Sequence, residues 1–177
     1  LEVRSSLEPH KSGTIVKEIV KMEKTLIKGV AKDNNVARIS IVGLQDTPGI
    51  AFKLFNKLAQ YKVNVDIILQ SVGRHGTKDI TFTVPKDQAL LAKEAIDSLE
   101  GSLNFQEVSI DETISKVSIV GAGMESHPGV ASKMFEALCD AGINIQMIST
   151  SEIKISVLID AKYADKAVRV VHDAFVG

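Results

Sequence analysis

From residue 36 onward the chain switches regularly between two hydrophobic periods. Residues 37–42 alternate apolar and polar, with Ile39 and Ile41 on one face, as a half-buried strand does. Ala51, Leu54, Phe55 and Leu58 then recur at i, i+3, i+4 and i+7, the apolar stripe of a helix over residues 50–60. Residues 63–72 are apolar and β-branched and predict a second strand. Residues 73–78 make a turn and 80–84 alternate again as a third strand. Asp87 stands where it would cap a second helix, with Ala92, Ala95, Ile96 and Leu99 as its stripe and Gly101-Ser102 as its end. Residues 105–110 supply a fourth strand, so the element order is βαββαβ.

The pattern then starts again. Val117-Ser118-Ile119-Val120-Gly121 repeats Ile39-Ser40-Ile41-Val42-Gly43 with a change at the first position alone. Ala131, Met134, Phe135 and Leu138 repeat the first helical stripe, Asn144-Ile145 matches Asn64-Val65, and residues 152–159 match the third strand. Ala164, Ala167, Val168 and Val171 form the last stripe. Up to Asn144 the copies differ in length at one turn, where Leu44–Thr47 becomes the longer Ala122–His127. This is a duplicated split βαβ unit. The fold class expected is α+β: two ferredoxin-like units, each an antiparallel four-stranded sheet with two helices on one face.

The second copy ends at Gly177, after its second helix, and so lacks a fourth strand. The candidate strand Thr25-Leu26-Ile27-Lys28-Gly29-Val30-Ala31, followed by the turn-forming Lys32-Asp33-Asn34-Asn35, is a substitute. Crossing over, it would complete the second unit and make the first an insertion within it; the alternative is that it simply lies on an edge. The division expected is therefore residues 32–112 for the first unit and 25–31 with 113–177 for the second. Residues 1–14 read as a strand end and a loop, and 15–24 as a linker or weak helix.

Candidate chemistry concentrates at the first helix start of each unit. In Asp46-Thr47-Pro48-Gly49-Ile50, Thr47 suits an N-cap, Pro48 the first helical position, and Gly49 permits close approach to the backbone. A strand, a tight turn and a helix start present backbone N–H groups to a carboxylate, helped by the helix dipole. Asp46 attracts an ammonium, and Asn64 offers a donor and an acceptor nearby. A molecule with both charged groups is an amino acid. The device recurs at Glu125-Ser126-His127-Pro128-Gly129-Val130. Taken singly, Asp46, Thr47, Ser126 and His127 would be no more than cap and turn residues; recurrence with an Asn in both copies favours binding.

Composition narrows the classes. A net charge of −1 gives no pull toward nucleic acid or anionic membrane. Aromatics are 5% of the chain, with Phe55 and Phe135 on helix stripes, against an RNA-binding βαββαβ module, which needs exposed aromatics on its strands. No apolar run approaches the roughly 20 residues that span a bilayer. The first residues, with Glu2, Arg4 and Glu8, have no signal-peptide core, which predicts a cytoplasmic protein. The chain does not begin with Met, which leaves its natural N-terminus open. Cys139 stands alone and is expected as an apolar filler near a helix face. The four histidines show no metal-ligand spacing; His10, His75 and His172 read as surface or loop residues. Val120-Gly121-Ala122-Gly123 imitates a dinucleotide fingerprint, but its third glycine position is Ser126 and the sheet order does not suit. No catalytic constellation is present in the pattern.

The residues as a set resemble the regulatory region of aspartate kinase, a tandem of ACT domains. The matching blocks are Val3-Arg4-Ser5-Ser6 with Gly13-Thr14, Asp46-x-Pro48-Gly49, Asn64-Val65-Asp66, Gln70 and Asp79-Ile80-Thr81-Phe82. They continue through Val117-Ser118-Ile119-Val120-Gly121-Ala122-Gly123-Met124, Ser126-His127-Pro128-Gly129-Val130, Asn144-Ile145 and Ile148-Ser149-Thr150-Ser151-Glu152-Ile153, and so cover nearly the whole chain. The resemblance implies a kinase domain ahead of this region, of which residues 1–14 would be the last segment and 1–24 the end with its linker. That domain would use ATP and Mg to phosphorylate aspartate; no cofactor is expected in this chain itself. It also implies lysine and/or threonine as effector, for feedback inhibition of lysine, threonine and methionine biosynthesis. The effector would bind between ACT domains paired side by side in a homodimer. Its contacts would be Asp46, Thr47, Pro48, Gly49, Ile50, Ala51, Asn64, Val65, Asp66 and Gln70 from the first unit and Val130, Ala131, Asn144, Ile145 and Ser151 from the second. Of the two loops, the first would be the main cradle and the second its partner across the seam. A tandem serving another enzyme or a regulator is the alternative, and residues 1–14 speak against it.

Overall fold

The structure, a computed structural model, describes residues 2–3, 14–15, 27–72, 76–121 and 127–176. Its elements are β1 (Glu2–Val3), β2 (Thr14–Ile15), β3 (Ile27–Asp33), β4 (Ala37–Gln45), α1 (Ile50–Gln60), β5 (Ile68–Val72), β6 (Thr77–Val84) and α2 (Ala89–Asp97). They continue with β7 (Glu107–Asp111), β8 (Ile114–Gly121), α3 (Val130–Asp140), β9 (Met147–Thr150), β10 (Lys154–Asp160) and α4 (Ala164–Val176). The first unit is the antiparallel sheet β5-β6-β4-β7, and the second is β3-β8-β10-β9. The fourth place in the second sheet is thus held by β3, whose Val30 and Ala31 stand opposite Ile119 and Ser118. β1 and β2 pair with each other. The linker expected at residues 15–24 lies almost entirely outside the described residues.

Alternation makes each sheet two-faced. Ile39 and Ile41 of β4 and Ile80 and Phe82 of β6 point to the helices and meet Leu54, Leu58, Ala92 and Ile96. Phe55 lies edge-on to Phe82, with ring centroids 5.6 Å apart. The second core repeats this with Val117, Ile119, Ile155 and Val157 against Met134, Leu138, Ala167 and Val171. The opposite faces carry hydroxyl groups. Ser40 and Thr81 bond at 3.1 Å on the first sheet, and the buried Ser118 and Ser156 bond at 2.8 Å on the second.

The two units meet through these outer faces. Val36, Ile67, Ile114, Met147 and Leu158 form a small apolar cluster drawn from both. Beside it Lys116 Nζ lies 2.5 Å from Asp66 of the first unit and 3.2 Å from Asp33 of β3.

Several local expectations change. β3 runs on to Asp33, so the turn shrinks to Asn34-Asn35, where the Asn35 N–H donates to Asp33 at 2.9 Å. Thr47 does not cap α1: the helix begins at Ile50 after Gly49, with no side-chain cap bond, and Pro48 stays outside it. Asp87 does not cap α2 either, because a turn of 3-10 helix over Lys86–Gln88 precedes it. Residues 63–67 precede the strand, which pairs with β6 from Ile68, although the Asp66 N–H and the Ile67 carbonyl each bond to the Thr83 backbone at 3.0 Å. Cys139 is exposed. Met134 and Leu138 already occupy the core-facing row of α3, and the next residue is turned about 100° away from it.

Candidate functional site

Both units build the same backbone device at the first helix. Gly49 has φ 92° and Gly129 φ 99°, a left-handed conformation that side chains disfavour. In each copy this glycine accepts the first helical hydrogen bond, from Lys53 N–H and from Lys133 N–H, both at 2.9 Å. The N–H groups of Ala51 and Phe52, and of Ala131 and Ser132, therefore have no acceptor inside their helices. In the first unit Ile50 N–H turns back toward the Thr47 carbonyl at 3.4 Å.

A hollow lies in front of each helix start. The first, of about 200 Å³, is lined by Gln45, Thr47, Pro48, Gly49, Ile50, Ala51, Gln70, Lys78 and Ile80. The second, of about 370 Å³, is lined by His127, Pro128, Gly129, Val130, Ala131, Thr150, Ser151, Glu152 and Ile155. They occupy matching places. Gln70 pairs with Ile80 across β5 and β6, as Thr150 pairs with Ile155 across β9 and β10. The hairpin between those partners is shorter in the second copy.

The chemistry of the two rims differs. Lys78 Nζ stands 2.8 Å from Asp46 Oδ1, with both side chains partly open to solvent. Asp46 is held in place by its own N–H, which donates to the Gly76 carbonyl at 3.1 Å. Two residues before Ile155, where the first copy has Lys78, the second has the exposed Ile153. The second loop is described from His127 onward.

Of the residues expected at the site, Thr47, Pro48, Gly49, Ile50, Ala51 and Gln70 surround the first hollow, and Val130, Ala131 and Ser151 surround the second. Asp46 reaches the first rim through Lys78. Asn64, Val65, Asn144 and Ile145 line neither hollow. Asn64 and Asn144 are exposed, while Val65 and Ile145 pack against the cores of their own units. The Asn64 N–H donates to Gln88 Oε1 at 2.7 Å. Asp66 is engaged by Lys116, whose hydrogen bond holds the Asp66 carboxyl below its ordinary range against the opposing effect of burial. Burial works to lower Lys116, but its bonds to Asp66 and Asp33 outweigh that and raise it.

Lys78, Gln45 and Glu152 were not foreseen from the sequence. Lys78 falls where a turn was expected, and its distance from Asp46 along the chain hides the pairing. It is the register of β4 on β6, which sets Leu44 opposite Lys78, that brings the two together, and no local pattern in the sequence carries it.

A third hollow, of about 410 Å³, lies between the units. Arg38, Ser40, Leu69, Gln70, Ser71 and Thr81 line it from the first, Gln146 and Met147 from the second. Arg38 donates to Asp111 at 2.9 Å. Burial works to raise the Asp111 carboxyl, and bonds from Thr113 together with Arg38 outweigh it and lower it. Among the described residues no group of three or more His, Cys, Asp or Glu side chains could hold a metal ion, and no helix is long and apolar enough to cross a membrane.

These features match known proteins closely. The ACT domain family model matches residues 39–98 and 117–175. An aspartokinase of Mycolicibacterium smegmatis is 47% identical over 99% of this chain and 42% of its own length. The chain therefore spans well under half of that relative. The regulatory subunit of aspartate kinase from Thermus thermophilus, in ligand-free form, superposes with a TM-score of 0.80 at 45% identity, over 85% of this chain and 99% of that one. A chain from the structure of aspartokinase alpha and beta subunits gives a TM-score of 0.78 at 46% identity, over 84% and 98%. The duplicated βαββαβ unit, its paired helix-start hollows and these likenesses together place the chain in the ACT-domain family, as a regulatory region of aspartate kinase.

Proposed function

We propose that this chain senses an end-product amino acid, lysine and/or threonine, and sets the activity of an aspartate kinase domain by feedback inhibition. The observation that carries the reading is the repeated helix-start hollow, joined in the first copy by the Asp46–Lys78 pair. The backbone N–H groups of Ala51 and Phe52 suit a carboxylate, and Asp46 suits an ammonium. Residues 1–14 are the end of a kinase domain, supplied either by the same polypeptide or by a catalytic subunit. The first ACT domain is inserted in the second, with the boundary expected at residue 32 moved past Asp33, the last residue of β3. The activity regulated is transfer of phosphate from ATP, with Mg, to the side-chain carboxylate of aspartate. The full effector site is a seam between two copies of the chain. Two facts support this: Asn64 and Asn144 stand outside the hollows of their own chain, and the edge strands β5 and β9 expose Ile68, Leu69 and Ile148. Effector bound at such a seam changes kinase activity if it favours one arrangement of the linked domains; a coupling of ~1–3 kcal/mol suffices for a several-fold effect.

Calorimetry with lysine and threonine, singly and together, tests the proposal. Heat of binding and a stronger dimer are expected with at least one; no heat with either sinks it. Asp46→Ala is expected to weaken binding by ~1–3 kcal/mol, since the variant removes the partner of the ligand ammonium. Unchanged affinity would show that Asp46 serves only Lys78.

A further inference from the structure

We propose that Lys78 is the specificity-determining residue of the first hollow: it exchanges Asp46 for the ligand carboxylate and disfavours a ligand with a second ammonium group. This inference rests on the effector reading above. Lys78 lines the hollow together with the α1 start, and its Nζ is 2.8 Å from Asp46 Oδ1. The pair is partly open to solvent, with side chains 32% and 46% exposed, so it is held weakly and can be rearranged. An amino acid carries the complementary pair of charges. On entry its ammonium takes Asp46, and its carboxylate takes Lys78 and the N–H groups of the helix start. One ion pair is replaced by two, and no charge on the rim is left without a partner.

A ligand whose side chain is itself cationic brings a further positive charge into a rim whose charges already balance. In a hollow of about 200 Å³ that charge stays close to Lys78. The first hollow therefore selects an amino acid with an uncharged side chain. The second hollow has the same backbone device and no lysine among its lining residues: two positions before Ile155, as Lys78 is two before Ile80, stands Ile153, exposed in the bend that precedes β10. The discrimination thus belongs to one hollow and to one side chain within it.

The test is calorimetry on this chain with threonine and with lysine, for the native protein, Lys78→Met and Lys78→Arg, with thermal unfolding to show that each variant is folded. Lys78→Met is expected to weaken threonine about tenfold, the scale of a charge-assisted hydrogen bond at a half-open site. Lysine is expected to weaken less, which narrows the preference for threonine, and Lys78→Arg to stay near native. Threonine affinity that is unchanged or tighter in Lys78→Met overturns the proposal, since Lys78 would then only compete for Asp46. An equal loss for both amino acids overturns it too, because the residue would not discriminate. If the native chain binds neither amino acid, the effector reading has failed, a result distinct from either of these.

Discussion

Lys116→Met tests how the two units are held together. The lysine sits on β8, its side chain 14% exposed, with Nζ 2.5 Å from Asp66 Oδ2 and 3.2 Å from Asp33 Oδ2. Asp33 is its cross-strand neighbour in the second sheet, whereas Asp66 belongs to the first unit. Methionine keeps most of the apolar stem and removes the charge, leaving two carboxylates without their shared cation. Both partners are about half exposed, so each pair falls toward the exposed end of the range, and the loss should be ~1–2 kcal/mol rather than the larger cost of breaking a fully buried pair. For a chain of this size that lowers Tm by ~2–8 °C. The pH dependence gives the sign. Asp66 is lowered in the folded protein, so its contribution is present above the unfolded carboxyl value of ~3.9 and is lost as pH falls through the folded one. Lys116 is raised, so its contribution is complete below the unfolded value of ~10.4 and is lost as pH rises through the folded one. The gap between native and Lys116→Met should hold steady between about pH 5 and pH 9 and close toward pH 3. Thermal unfolding by circular dichroism across that range measures it. Equal Tm values at pH 7, or a gap that persists undiminished at pH 3, would refute the assignment. Because Asp66 follows Asn64-Val65 directly, the same ion pair ties the segment nearest the proposed seam to the central strand of the other unit.

Further outcomes follow from local geometry. Gly49→Ala and Gly129→Ala place a side chain at φ 92° and 99° in open space, so each should cost ~1–2 kcal/mol from backbone strain alone, measured by denaturant unfolding. A loss above that would point to a steric contact. Ser156→Ala leaves the buried Ser118 hydroxyl without its 2.8 Å partner and should cost ~1–3 kcal/mol, while the double variant with Ser118→Ala should cost less than the sum of the two single changes.

Much of this architecture was legible because one period repeats. The stripe of Leu54 and Leu58 returns as Met134 and Leu138, and all four are buried. The β-strand signals at Ile39, Ile41, Val117 and Ile119 also place side chains that are fully inside. Local side-chain preferences were the weaker guide. Thr47 and Asp87 are good caps by type, yet the glycine conformation at Gly49 and the 3-10 turn before α2 start those helices without them. At Cys139 helical phase outweighs residue type: one position after the buried Leu138, the side chain is exposed. The ion pairs were illegible for a different reason. Asp46–Lys78 depends on strand register, and Asp66–Lys116 on how two units dock, and neither quantity is written in a local window.

Duplication also limits where selectivity can reside. The helix-start device is the same in both copies, down to the first hydrogen bond at 2.9 Å from Lys53 to Gly49 and from Lys133 to Gly129. A device given twice can bind a carboxylate in both hollows but cannot tell one amino acid from another. Under the proposed effector reading the hollows differ at Thr47 against His127, Gln70 against Thr150 and Lys78 against Ile153, and the last is the change that removes a permanent positive charge. The last of these lies in the hairpin whose length changed between the copies, with Gln70 and Ile80 joined by a longer connection than Thr150 and Ile155. A lengthened hairpin alters the rim of a hollow without disturbing the sheet register behind it. The fold is therefore free to keep its two cores alike while its two hollows become chemically unequal.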